Sequence, residues 1–354
     1  MKIIVIGAYG YTGRLICEEF MLSGYLFSVA GRNREKLQEL QNKYPKIERS
    51  ECLDIRHDDV LSLVSKYDVF VNCAGPFTEE SARLIEEIAL NKKVYLDICG
   101  EIQFIKSSRE RLGKKANDSG SLIIHGAAFE SLISDLMCRH IQETISINNV
   151  RSYYRFNQKR TSPGTRITMK LSKFRTPIHV ENSDWSIIDF MKEHHHVRLN
   201  AKEEWTAIPY PLPEIAFSKW NYNVDLAKTY LLLEREEAKF VSPVLKSKDK
   251  LIPTLERLKK IKKRGPTAEE SLKNSSEIFI IINENPENTW RLSMIDMYRI
   301  TAKCICMLIS EVLDGSIPFG IASPSEVVRK QPLEALKLLG VSIEKARLES
   351  SWTK

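Results

Sequence analysis

The segment Gly7-Ala8-Tyr9-Gly10-Tyr11-Thr12-Gly13 constrains this chain more than any other. It follows an apolar run, Lys2–Ile6, and leads into Thr12–Leu22, whose apolar residues recur at helical spacing. Three glycines placed this way meet three steric needs. Gly7 permits a sharp turn out of a strand, Gly10 lets the backbone approach a bulky anion, and Gly13 lets the helix pack close to the sheet. The exposed N–H groups and positive dipole end at the helix start then favour a phosphate. The alternative for a lone glycine triplet is a tight turn without a ligand. Its place directly after an apolar strand and before a helix selects the phosphate-binding reading.

Strand-like and helix-like segments alternate beyond this loop. Apolar runs at Phe27–Ala30, Ile47–Leu53, Val69–Asn72, Val94–Asp97 and Ser121–His125 are separated by helical periods at Arg34–Tyr44, Asp58–Ser65, Glu79–Ala89, Ile102–Asn117 and Phe129–Thr144. Continuous apolar strands between helices imply an α/β fold, a parallel sheet covered on both faces and wound in both directions. The pattern predicts a Rossmann domain over residues 1–130. It predicts a second α/β domain with a mixed sheet over 131–310, and a C-terminal helical segment over 311–354 packing back on the first. In the second domain a strand is expected at Asn149–Phe156 and a helix at Arg166–Lys173. No clear period marks 176–213, and a Lys-rich helix is expected at Pro253–Lys263, stopped by Gly265-Pro266. A hairpin follows, pairing Glu277–Ile282 with Trp290–Ile295, and then helices Tyr298–Leu313 and Ser325–Leu339.

The end of the second strand bears on the nucleotide. NAD-selective sites carry an acid there for the ribose 2′-hydroxyl, whereas this chain reads Val29-Ala30-Gly31-Arg32-Asn33. A guanidinium pairs in bidentate fashion with a 2′-phosphate, so Arg32, with Asn33 beside it, points to NADP(H). Asn72-Cys73-Ala74-Gly75-Pro76 after the fourth strand offers a small-residue loop that a dinucleotide can pass closely. Asp54, after the third strand, either accepts from the adenine amine or caps the next helix.

At these residues the chain resembles the saccharopine dehydrogenase-like oxidoreductases, in particular their trans-acting enoyl reductase branch. The resemblance rests on Gly7–Gly13, Ala30–Asn33 and Asn72–Phe77, and on Tyr95-Leu96-Asp97-Ile98-Cys99-Gly100-Glu101. It extends through Gly126-Ala127-Ala128-Phe129-Glu130-Ser131, Ser134-Asp135-Leu136, Ser162–Thr165 and Gly265-Pro266-Thr267 to Asp296-Met297-Tyr298. Tyr9 stands where the family usually has threonine, and Ala128 where a second glycine is more usual. The resemblance implies NADP(H)-dependent hydride transfer to a small, lipid-like acyl, enoyl or isoprenoid-like molecule, with Gly126, Phe129, Ser162 and Thr165 beside the substrate. A saccharopine-type amino-acid reductase and a non-catalytic NADP(H)-binding sensor or scaffold remain open. The amino-acid reading requires arginines converging on one site, for which Arg151, Arg155, Arg160 and Arg166 are the candidates.

Hydride chemistry belongs to the cofactor; the protein must supply a proton and exclude water. Asp97 and Glu101, at the carboxyl end of a strand, are the candidate catalytic groups, or else a helix cap and a dipole partner. Tyr9 and Tyr11 either polarise a carbonyl or pack over the dinucleotide. No Tyr-x-x-x-Lys pair stands where a short-chain reductase needs it, and no Ser-His-Asp nucleophile motif is visible. His194-His195-His196 reads as a solvated run and not a metal site, because adjacent side chains diverge. Cys304 and Cys306 diverge on one helix in the same way. Lys259–Arg264 is a cationic helix end, favourable through the dipole alone or a contact to anionic lipid.

Composition closes off other classes. The formal charge of +7, from 53 Lys and Arg against 46 Asp and Glu, suits small anions and does not suggest nucleic-acid binding. Seven cysteines without paired spacing imply a reducing compartment. No signal peptide and no run of about 18 apolar residues is seen, so a cytoplasmic protein is expected. Peripheral membrane contact is compatible with the basic run, and a homodimer is one assembly such a chain could form.

Overall fold

Strands β1 (Ile3–Ile6), β2 (Phe27–Gly31), β4 (Val69–Asn72), β5 (Val94–Asp97) and β6 (Leu122–Ile124) are buried along their whole length, as a sheet covered on both faces requires. In the same sheet β3 (Ile47–Cys52) is largely exposed, consistent with its place at the edge. The computed structural model describes residues 1–79, 82–157, 161–171, 177–189, 193–200, 203–234, 265–315 and 318–350. The chain divides into two units, Met1–Asp135 with Tyr298–Ala335, and Leu136–Met297 with Leu336–Lys354. Elements are numbered in chain order.

In the first unit the sheet runs β15-β6-β5-β4-β1-β2-β3, where β15 is Gly320–Ala322. Every pairing is parallel. Strand order reverses between β4 and β1, and at such a switch point the loops leaving the strands diverge and open a crevice. The helices α1 (Tyr11–Leu22), α2 (Arg34–Lys43), α3 (Leu61–Lys66), α4 (Ala82–Leu90) and α5 (Ile102–Ser119) alternate with the strands, and α6 (Phe129–Gln142) follows β6. Local chemistry fixes their ends. Asn33 caps α2 by accepting from the Lys36 amide, and Gly120 ends α5 in the left-handed conformation at φ 75°. Helix α10 (Met297–Leu313) is tied to α1 by Arg299, which pairs with Glu18 and Glu19, and by the Tyr298 ring set edge-on to Tyr11.

The second unit is built on β7 (Asn149–Asn157). It pairs in parallel with β12 (Leu226–Leu233) and antiparallel with β13 (Ser275–Ile282). The sheet runs β16-β14-β13-β7-β12-β11-β10-β17, with the hairpin β8 (Ile178–Glu181) and β9 (Asp184–Ile187) attached through β12. The other strands are β10 (His195–Asn200), β11 (Glu203–Pro209), β14 (Thr289–Ile295), β16 (Ser342–Ala346) and β17 (Glu349–Ser350). Helices α7 (Pro163–Leu171), α8 (Glu214–Tyr222) and α9 (Ala268–Leu272) belong to this unit. Tyr153, Tyr230, Phe279, Ile281 and Leu232 form the core on one face, with the Tyr153 and Tyr230 rings stacked at 5.0 Å.

Two expectations are corrected. The segment 311–354 is not a helical appendage, because β15 extends the first sheet while β16 and β17 join the second. The single helix expected at Ser325–Leu339 is two, α11 (Pro324–Val327) and α12 (Pro332–Leu339); the second starts at a proline, which cannot continue a preceding helix. The stretch without a period, 176–213, supplies strands β8 to β11. The expected helix Pro253–Lys263, the basic run Lys259–Arg264 and Arg160 lie outside the described residues. Among the described residues no helix is long and apolar enough to cross a membrane.

Asp135 on α6 is 2% exposed and accepts from the Ser325 amide at 2.9 Å, joining segments 190 residues apart. Burial pushes its carboxyl up to about 6, so the folded state favours the protonated form. Stability from this group is complete below its ordinary value near 3.8 and is lost as pH rises through 6. The shift corresponds to roughly 3 kcal/mol. Asp135→Asn is therefore expected to gain in melting temperature relative to the wild type as pH is raised from 4 to 7. A difference in melting temperature that stays flat over this range would contradict the assignment.

Candidate functional site

The site begins where β1 ends. Gly7 sits at φ 76°, and a Cβ there would lie 3.0 Å from the Ala74 nitrogen, so the loops after β1 and β4 touch backbone to backbone. A Cβ on Gly13 would lie 2.5 Å from the Gly7 carbonyl oxygen, which fixes how closely α1 packs beneath the loop. Helix α1 has no side-chain cap at Gly10 and no acid in its first turn. Its amino end thus presents positive potential with no protein anion to neutralise it. Ala8 is buried in the turn, whereas Tyr9, Gly10, Tyr11 and Thr12 are at least partly exposed. A backbone cradle that side chains would fill, at a helix start, fits a dinucleotide pyrophosphate.

Next to this cradle lies the end of β2. The Tyr9 ring covers Gly31 so closely that a Cβ there would fall 2.5 Å from the Tyr9 Cε1. The Tyr9 hydroxyl accepts from the Arg32 amide at 3.0 Å. The Arg32 side chain is 65% exposed, with Nη1 3.6 Å from Asp54 Oδ2. Asp54 is corrected from an adenine partner or helix cap. Its Oδ1 accepts from the Arg56 amide and Nε, and its Oδ2 from Arg56 Nη2 at 3.0 Å. The hydrogen bonds from Arg56 hold its carboxyl down to about 2. Asn33 is spent on its cap, so its side chain shapes α2 and is not directed at a ligand.

The loop after β4 is held by Asn72, whose Oδ1 accepts from the Ala74 amide and whose Nδ2 donates to the Tyr95 hydroxyl. Asn72 is fully buried, a correction to its expected contact with the cofactor; it sets the path of Cys73, Ala74, Gly75 and Pro76, which are partly or fully exposed.

Neither expected catalytic carboxylate faces outward. Asp97 is fully buried, with Oδ2 2.6 Å from His125 Nδ1 and Oδ1 accepting from the amides of Cys99 and Gly126. His125 Nε2 lies 2.8 Å from Ser108 Oγ on α5. This Ser-His-Asp chain was missed in the sequence, although both strand ends were read. The β5–β6 register pairs Leu96 with Ile124 and so places Asp97 beside His125. With Ser108 in mid-helix and 6% exposed, the chain fastens β5, β6 and α5 together and offers no accessible nucleophile. Glu101 is 6% exposed and folds back on its own loop, accepting from the Gly100 amide and the Cys99 thiol. The carboxyl that the sequence did not single out is Glu130, partly exposed in the first turn of α6, which burial pushes up to about 7.

Of the expected substrate residues, Gly126 adopts φ 63° and Phe129 donates its amide to Thr301 Oγ1 at 3.2 Å. Ser162 and Thr165 belong to the other unit, where Ser162 Oγ accepts from the Thr165 amide and caps α7. The four are therefore not brought together within one unit. The histidine run is also partly corrected. His194 and His196 are exposed, but His195 turns inward to Tyr153 at 3.1 Å, and burial pushes it down to about 4. Among the described residues no group of side chains fits a metal ion.

Residues 3–124 match the family model of the saccharopine dehydrogenase NADP binding domain. The human saccharopine dehydrogenase-like oxidoreductase is 33% identical over 152 residues, covering 38% of this chain and 35% of that one. A trans-acting enoyl reductase of Mycobacterium tuberculosis is 28% identical over 145 residues, 38% of this chain and 34% of its own. The match thus spans little more than a third of these relatives. The apo saccharopine dehydrogenase (L-Glu forming) of Saccharomyces cerevisiae superposes with a TM-score of 0.63 over 99% of both chains at 12% identity, a likeness of fold.

The geometry separates two roles for Asp97. As a fastening, Asp97→Asn should lower stability by about 3 kcal/mol, because it breaks a buried hydrogen-bonded pair. As a proton donor, the same change would leave the denaturation midpoint in place and reduce turnover alone. Urea denaturation of the variant is expected to show the first pattern.

Proposed function

We propose that this chain, whose residues 3–124 form an NADP-binding domain of the saccharopine dehydrogenase family, reduces an apolar acyl or enoyl substrate with NADPH. The observation that carries the coenzyme half is the conjunction of the glycine cradle with a strand end that has an arginine and no acid. Gly7–Gly13 would hold the pyrophosphate, Arg32 the 2′-phosphate, and the 73–76 loop the nicotinamide ribose. Bound NADPH supplies the hydride.

The chain itself must supply a proton at the end of β6. Glu130 supports that role better than Asp97 or Glu101, since burial brings its carboxyl to ionise near neutrality while the residue as a whole is not fully enclosed. In the reduction of an enoyl substrate, the proton on Glu130 would go to the carbon next to the carbonyl as the hydride reaches the far carbon, leaving a carboxylate that water reprotonates. The short apolar stretch Ala127-Ala128-Phe129, all buried, would keep bulk water from this end of the sheet.

The substrate class is supported by the fate of the arginines. Arg151 donates to Glu284 and to the Tyr230 hydroxyl, Arg155 is paired with Glu277 and Glu203, and Arg166 donates to the Thr161 carbonyl. An amino-acid reductase of the saccharopine type has to bind several carboxylates, and these guanidiniums are already engaged. The mycobacterial relative's name agrees with the enoyl reading.

Purified protein given enoyl and keto thioesters is expected to oxidise NADPH and not NADH, followed at the nicotinamide absorbance. Glu130→Gln should lose most of the turnover while retaining NADPH affinity. Because the acid form of Glu130 is the competent one, wild-type turnover should fall as pH rises above about 7. Tight NADPH binding without turnover on any thioester would favour a binding protein over an enzyme.

A further inference from the structure

We infer that Lys36, seated over the ring of Tyr9, is a second cation for the adenosine 2′-phosphate, and that Tyr9 is the residue that positions it. The inference rests on the coenzyme reading above and goes beyond the single arginine at the end of β2. Tyr9 stands at the second position after Gly7, and its phenol does three things at once. The ring covers Gly31, leaving no room for any side chain at that strand position. The hydroxyl accepts from the Arg32 amide at 3.0 Å, so the backbone on which Arg32 is mounted is held by the phosphate loop itself. The ring face carries the Lys36 ammonium, 5.5 Å from its centroid.

Lys36 lies on the first turn of α2, where Asn33 holds its amide at 2.9 Å. Among the described residues no carboxylate lies within ion-pair distance of its Nζ, in contrast to Arg32, which faces Asp54 at 3.6 Å, and Arg56, which is bound to Asp54 at 3.0 Å. Arg32 and Arg56 thus share one carboxylate, whereas Lys36 has none beside it among the described residues. A phosphate monoester dianion is the chemistry that an ammonium over the Tyr9 ring and a guanidinium whose backbone is held by the same phenol would select. A ribose bearing only hydroxyls gains little from either.

The test isolates the subsite from catalysis. Binding of adenosine 2′,5′-bisphosphate and of adenosine 5′-monophosphate is measured by calorimetry, and of NADPH and NADH by nicotinamide fluorescence, for wild type, Lys36→Gln, Tyr9→Phe and Tyr9→Thr. Lys36→Gln is expected to weaken adenosine 2′,5′-bisphosphate and NADPH by about tenfold, with the monophosphate and NADH changed by less than about twofold. Tyr9→Thr should show the same selective loss, and Tyr9→Phe, which keeps the ring, a smaller one. Equal losses for the phosphorylated and unphosphorylated ligands, or no loss in Lys36→Gln, would overturn the inference. A wild-type protein without preference for NADPH would instead overturn the coenzyme reading, so the two failures are separable.

Discussion

Backbone must meet backbone at the carboxyl edge of the parallel sheet, and this close approach underlies the rest of the first unit. Gly7, Gly13 and Gly31 each leave a place where a Cβ would fall at 2.5 to 3.0 Å from a neighbour. Because Gly7 reaches the Ala74 nitrogen, the loop after β1 and the loop after β4 cannot move apart independently. Because Gly13 lies against the Gly7 carbonyl, α1 is fixed in height relative to the sheet. A side chain at any of these positions would lift a helix or a loop and displace the helix start from the anion it serves.

The buried polar chain through Asp97 performs a similar service one strand further out. Two amides, one from the loop after β5 and one from the turn after β6, converge on a single carboxylate oxygen, and the other oxygen meets His125. Such a carboxylate is costly to bury unless it is hydrogen-bonded, and here both oxygens have partners. Its effect is to hold Gly126 at φ 63° and so aim the Ala127–Glu130 segment. Catalysis at Glu130, on the proposed reading, therefore depends on a residue that never meets the substrate.

Much of the first unit was legible in the sequence because parallel strands buried on both faces are written as continuous apolar runs. Val94–Asp97 and Val69–Asn72 are found where they were read. Strand β15 was missed because three residues carry no period, and β8 to β11 because their strands alternate weakly between a polar and an apolar side. Steric roles were legible where they lie in the backbone, as in the turn at Gly7 and the close packing at Gly13. They were misread where their role depends on a partner distant in the chain. Asp54 was expected to meet the adenine or cap a helix and Asn72 to face the cofactor, but Arg56 and Tyr95 engage them. Lys36 was not read at all, since only the folded loop brings it over Tyr9.

Charge pairing in the second unit limits what that unit can bind. Lys228 and Arg151 are register partners on neighbouring parallel strands, so two cations stand side by side on one face. Glu181 and Glu193 hold the Lys228 ammonium at 2.9 and 3.1 Å, and Glu284 holds Arg151. His179, 1% exposed among them, is pushed down to about 4 by burial and by Lys228. Three carboxylates face these two cations, so the cluster holds no unpaired positive charge. An incoming dicarboxylate would have to displace a resident glutamate from a cation that is already paired, and exchanging one carboxylate for another would return little net attraction. An apolar substrate asks for no such exchange, and this makes the second unit's electrostatics compatible with a reductase whose substrate carries its charge elsewhere or not at all.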